Sequence, residues 1–150
     1  MKFFVAIMFF LAVDCQDNNS HGCKVACDCP DFTDLFSSKE SLMFTKWDGC
    51  TFNATCSPGT PGILEGKWYG GEIDIPLDAE EDRIILSAGM VPFNMYSAFG
   101  IICENGAWYA TKYPEGVGYI NIMGDKMYVG TLGELDGKKS KIYIALCDKV

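Results

Sequence analysis

The sequence predicts a mostly β fold, a small disulfide-stapled antiparallel sandwich or barrel-like meander with an irregular Cys-rich N-terminal segment. Three observations predict it. From residue 67 onward, aromatic and β-branched residues recur in short runs bounded by Gly, Pro or acidic turns. Within several of those runs the residue types alternate with period two, as the two faces of a strand do. Eight cysteines in 150 residues supply covalent ties for a core of modest size.

Taken in order, residues 1–15 read as a signal peptide, 16–26 as an N-terminal tail and 27–150 as a single Cys-rich β domain. Met1-Lys2 is a short positive start, and the apolar run 3–13 that follows is too short for the roughly 20 residues needed to cross a bilayer. Val13 and Cys15 stand at positions −3 and −1 of a cut before Gln16, and the next residues are polar. No later segment is apolar for long enough to span, so the sequence predicts a secreted, extracellular protein. Asn53-Ala54-Thr55 and Asn18-Asn19-Ser20 read as N-glycosylation acceptors in that compartment.

Removing Cys15 leaves Cys23, Cys27, Cys29, Cys50, Cys56, Cys103 and Cys147, which an oxidising compartment should bridge. The number is odd. Either cleavage falls earlier and Cys15 is retained, or one thiol is free or pairs with another molecule. Cys23, outermost and flanked by Gly22 and Lys24, is the natural unpaired or intermolecular cysteine, which makes a disulfide-linked dimer one expected arrangement. Zinc would want paired Cys-x2-Cys knuckles; the spacings here are Cys23-x3-Cys27, Cys27-x-Cys29 and Cys50-x5-Cys56.

Up to residue 60 the chain reads as loops with one helical turn near 33–36. Ser57-Pro58-Gly59-Thr60-Pro61-Gly62 is a turn cluster marking a bend between two parts of one domain. Strands are expected over 67–75, 83–87, 99–103, 107–112, 117–123, 126–131 and 140–147. Asp136-Gly137 before the last run is a hairpin signal, because residues of both types can adopt positive φ. In that run Ile142, Ile144 and Leu146 would share one face and Tyr143, Ala145 and Cys147 the other.

The cysteine order carries a resemblance. Cys27-Asp28-Cys29-Pro30, Asp48-Gly49-Cys50, Thr55-Cys56, Ile101-Ile102-Cys103-Glu104-Asn105-Gly106-Ala107-Trp108 and a terminal Cys147 resemble the small six-cysteine extracellular domains of unknown function abundant in nematodes. The resemblance covers 27–147. It implies that Cys27 pairs with Cys50 and that Cys29, Cys56, Cys103 and Cys147 share two more bridges, with Cys23 as an extra. It brings a compartment and a disulfide plan, and no activity.

Composition narrows the function. Twenty Asp+Glu against twelve Lys+Arg give a formal charge of −8, which disfavours nucleic acid and anionic membranes. The one histidine, His21, sits in the polar tail, so Ser, Thr and Cys nucleophiles lack a base there. The acidic run Asp74, Asp78, Glu80, Glu81 and Asp82 lacks the Asp-x-Asp-x-Asp-Gly grammar of a calcium loop and reads as a solvated loop. No catalytic residue, metal site or cofactor is expected.

The reading is a non-catalytic extracellular module for a protein or glycan partner, with loops 57–66, 76–82 and 88–98 as its recognition surface. The alternative rests on Gly66-Lys67-Trp68-Tyr69, which resembles the Gly-x-Trp-Tyr start of lipocalin barrels and implies a carrier of a small apolar ligand with Trp68 at the pocket base. A small secreted hydrolase with paired carboxylates is a third reading.

Overall fold

A computed structural model describes residues 26–89 and 92–147. The fold is mostly β and antiparallel, with β1 Leu42–Lys46, β2 Phe52–Cys56, β3 Gly62–Gly71, β4 Ile84–Ser87, β5 Ile102–Glu104, β6 Ala107–Ala110, β7 Val117–Ile120, β8 Lys126–Val129 and β9 Ser140–Cys147. A 3₁₀ turn at Phe32–Leu35 and one helical turn, α1 at Met95–Ala98, complete it. Seven strands form one sheet in the order β5-β6-β9-β3-β4-β7-β8, and β1 pairs with β2 as a separate hairpin.

The hairpin is the main departure from the sequence reading, which left 40–56 as loops. Phe52, Ala54 and Cys56 point inward while Asn53 and Thr55 point out, so β2 has strand periodicity. Asp48-Gly49 closes the connection, with Gly49 at φ 73°. Phe52 stacks on Phe32 at 4.4 Å between centroids, and both meet the edge of Trp108 at 5.5 Å. Trp108 Nε1 donates to the Pro30 carbonyl at 2.8 Å, so the N-terminal layer is fastened to β6. That layer, with the 3₁₀ turn and α1, covers one face of the large sheet.

The core between the layers contains Phe32, Leu64, Trp68, Met95, Phe99 and Ile142, each at most 4% exposed. The 3₁₀ turn forms because Asp31 caps it, its carboxylate accepting from the Thr33 N–H at 3.0 Å. That hydrogen bond holds the Asp31 carboxyl below the usual carboxylate range, with burial opposing it.

The β3 strand starts at Gly62, earlier than the expected 67, and ends at Gly71. Its pairing with β9 is regular from Gly62↔Cys147 to Glu65↔Ile144 and then slips. Between Gly66↔Ile142 and Gly71↔Ser140, four β3 residues oppose the single residue Lys141. A β-bulge of this kind bends and opens a strand pair. The earlier slip, where Tyr143 is the extra β9 residue between Glu65↔Ile144 and Gly66↔Ile142, corrects the expected faces of β9: Ile142, Ala145 and Cys147 all point to the core, while Ile144 is 40% exposed.

Candidate functional site

Three bridges set the framework. Cys27 is bonded to Cys50, the pair implied by the resemblance, with Cα atoms 4.8 Å apart. Cys29 joins Cys103 across 5.9 Å and Cys56 joins Cys147 across 5.4 Å. The first fastens the N-terminal segment to the β1–β2 connection, and the other two fasten it and β2 to β5 and β9. Among the described residues no cysteine is free. Three sulfurs, from Cys27, Cys50 and Cys103, lie within 4.8 Å of one another, but all three are consumed in two neighbouring bridges. Cys15, Cys23, Asn18, His21 and the signal segment lie outside the described residues.

Among the described residues, no second layer lies over the face of the large sheet turned away from the hairpin layer. Tyr69 is 67% exposed there, and Lys67 is exposed beside it. Where β3 and β9 part at the bulge, an open cleft of about 460 Å³ forms. Its walls are Tyr69 from β3, Tyr109 from β6 and Tyr143 from β9, and Gly70 and Gly71 lie between them. A Cβ on Gly70 would stand 3.0 Å from Lys141 Cβ and 3.2 Å from Tyr143 Oη, so the glycine keeps the space between these side chains clear.

Four charged side chains complete the lining. Lys139 Nζ contacts Glu104 Oε2 at 2.6 Å, and the Lys139 N–H donates to Glu72 Oε2 at 3.0 Å. The hydrogen bond to Glu104 raises the Lys139 pKa above the usual lysine range and keeps it protonated. Lys141 Nζ stands 5.2 Å from the Tyr143 ring centroid, and Lys67 Nζ stands 5.2 Å from that of Tyr69. The two rings are tilted by 52° with centroids 6.5 Å apart. Burial, the neighbouring Tyr69 hydroxyl and nearby acidic groups push the Tyr143 hydroxyl above the usual phenol range. The cleft therefore presents phenol hydroxyls, apolar ring surface, the Lys139–Glu104 ion pair, and the charges of Glu72 and Lys141.

None of these side chains was expected as a site from the sequence. Their signal was outward position in strands that also carry core residues: Tyr69 follows Trp68, and Tyr109 follows Trp108. The loops expected to carry recognition are corrected in part. Residues 62–66 are strand, with Leu64 wholly buried, and α1 within 88–98 buries Met95. Both are drawn into the core because their side chains complete the packing beneath β3 and β9.

Asn53 is half-buried on the outer side of β2, and its side-chain oxygen accepts from Thr55 Oγ1 at 3.0 Å. In the acidic run, Asp78 accepts from the Tyr119 hydroxyl at 3.0 Å and Asp82 accepts from the Tyr69 N–H at 3.3 Å. Trp68 is 2% exposed and packs edge-on against Tyr119 at 6.1 Å, within the core cluster. Its indole N–H has no hydrogen-bond partner. The sheet containing Gly66–Tyr69 is open, with β5 and β8 at its two edges, unlike the closed barrel of the carrier reading.

The model of the TRA-1 regulated protein R03H10.4 family matches residues 25–147. The chain belongs to that family, a nematode family of unknown function. No curated protein and no solved structure matches the chain.

Proposed function

We propose that this chain, as a member of that family, is a secreted, non-catalytic extracellular recognition module that engages its partner at the tyrosine cleft. The observation that carries the reading is the opening between β3 and β9, walled by Tyr69, Tyr109 and Tyr143 on a sheet face that no other described residues cover. Aromatic side chains with polar tips are the common anchors of such surfaces. Three bridges in a chain of this size suit an oxidising compartment, and the six bridged cysteines fit the plan of six-cysteine extracellular domains. The non-catalytic part of the reading rests on the engagement of both cleft carboxylates by Lys139 and on there being no histidine among the described residues that line the cleft.

Asn53 is assigned an N-glycan. It projects from the hairpin layer, on the side of the sheet opposite the cleft, so a glycan there leaves the cleft open. Cys23 is assigned the role of a spare thiol able to join two copies.

The test is expression of the full chain in a eukaryotic secretory host, with intact mass of the medium fraction under non-reducing conditions. The expected result is a leader-free chain with three internal bridges and a glycan that Asn53→Gln removes. The same mass reports any Cys23-linked dimer. Binding of the secreted protein to cell surfaces and extracellular material is expected to weaken in Tyr69→Ala. Retention inside the cell, or surface binding indifferent to Tyr69→Ala, overturns the reading.

A further inference from the structure

We infer that the occupant of the cleft is a neutral oligosaccharide, an inference that rests on the cleft being the recognition site.

The charge balance is the first argument. The chain carries a formal −8, yet the cleft lining holds two lysines and two glutamates and no net charge. An anionic ligand would meet Glu72 and Glu104, and a cationic one would meet Lys139 and Lys141; neither gains a net attraction. A wholly apolar ligand would strip water from four charged groups and return no hydrogen bonds to them. The ligand that matches is uncharged and carries hydroxyls of its own.

The arrangement of rings and charges is the second. A pyranose has an apolar face of C–H groups and a rim of hydroxyls. The C–H groups carry slight positive charge and are drawn to the negative face of an aromatic ring. The Lys141 ammonium, from the lining, stands over the Tyr143 ring 5.2 Å from its centroid, so a hydrogen-bond donor accompanies that apolar plane, and the exposed Tyr69 ring lies 6.5 Å away. Glu72 and Glu104 add acceptors at the same rim. Neutral phenols, as Tyr143 is held, both donate and accept.

The location argues against a peptide strand. Extended peptides gain affinity by adding to a sheet edge, where backbone groups are unpaired. This cleft lies mainly over β6, β9 and β3, with β4 and β7 between it and the edge strand β8, and it meets the other edge strand, β5, only at that strand's last residue, Glu104. Its open shape and volume of about 460 Å³ suit a short run of sugar rings lying across the sheet.

The experiment uses the secreted full chain. Its amide resonances are followed while neutral hexasaccharides of glucose, mannose or N-acetylglucosamine are added, with a heparin hexasaccharide as the acidic comparison. The expected result is saturable shifts at Gly70, Gly71 and Lys141 with at least one neutral hexamer, at a Kd of about 1 mM or tighter. Tyr69→Ala and Tyr109→Ala are expected to weaken that binding by about tenfold or more. Tyr128→Ala, on β8 and 43% exposed, is expected to leave it unchanged. Thermal midpoints separate loss of ligand from loss of fold, and Tyr69, 67% exposed, is the variant least able to disturb the core.

Binding of heparin alone overturns the inference in favour of an acidic ligand. If no neutral hexamer shifts the cleft, and Tyr69→Ala still abolishes surface binding that these sugars do not compete, the saccharide falls and the recognition reading stands. If surface binding ignores Tyr69→Ala as well, both fall.

Discussion

The hydroxyl of Tyr113 lies 3.0 Å from Ser140 Oγ, in the core and at the start of β9. The same hydroxyl is 2.9 Å from the Lys138 carbonyl and 3.1 Å from that of Ala110. Tyr113 thus ties the end of β6 to the first residue of β9, directly behind the segment that forms one wall of the cleft.

Tyr113→Phe keeps the ring and removes the hydroxyl, whose single proton is shared between the Ala110 and Lys138 carbonyls and whose oxygen accepts from Ser140. The expected loss is about 1–3 kcal/mol, read from denaturant midpoints at neutral pH.

The same residue sets an alkaline limit. Burial pushes the Tyr113 pKa up to about 12, helped by the charges of Glu72 and Asp136 and opposed by the Ser140 hydrogen bond. The folded form keeps a proton that the unfolded chain releases near pH 10. Its contribution is complete below about pH 10 and is lost as pH rises toward 12. Phenolate absorbance is expected to show a late-titrating component to which Tyr113, Tyr119 and Tyr143 contribute, and its amplitude is expected to fall by one tyrosine in Tyr113→Phe.

Phe52→Ala tests whether the hairpin layer is held by its aromatic contacts. The ring meets Phe32, Trp108 and Tyr96 within 5.5 Å between centroids. Its removal is expected to cost about 3–5 kcal/mol and to flatten the near-ultraviolet circular dichroism.

Replacing Cys56 and Cys147 together by alanine opens a loop spanning 91 residues. The expected cost is about 2–5 kcal/mol, measured as a lowered thermal midpoint with the other two bridges intact.

Gly116 has φ 76°, and a Cβ there would press on the Val129 carbonyl, a backbone atom that cannot rotate away. Gly116→Ala is expected to destabilise the β7–β8 pair by about 1–3 kcal/mol, with amide exchange fastest at 117–120 and 126–129.

The C-terminal strands were legible because local pattern and final burial agree in them: Trp108 and Ala110 alternate with Ala107 and Tyr109. β9 was legible as a strand but not by face, since a bulge breaks the alternation at Tyr143 and Ile144, and only the register with β3 reveals it. The β1–β2 hairpin was hidden for a different reason. Its strands have five residues each, and Phe32, Trp108 and the Cys56 bridge, all distant in sequence, hold it in place. The cleft was illegible because it exists only where residues 69–71 meet 139–143 out of register. The acidic 74–82 segment is a largely exposed loop, as read, in which Asp78 accepts from the Tyr119 hydroxyl and Asp82 from the Tyr69 N–H.

The bridges Cys29–Cys103 and Cys56–Cys147 interleave along the chain, each enclosing one end of the other. A protease that cuts one peptide bond anywhere from 29 to 147 therefore frees no fragment, because at least one bridge spans every such cut. The two halves stay on the same molecule, with β3 and β9 still paired across the break for every cut outside those strands. Digestion would show as a change in migration only after reduction, and a nicked copy keeps the strands that wall the cleft on one covalent molecule.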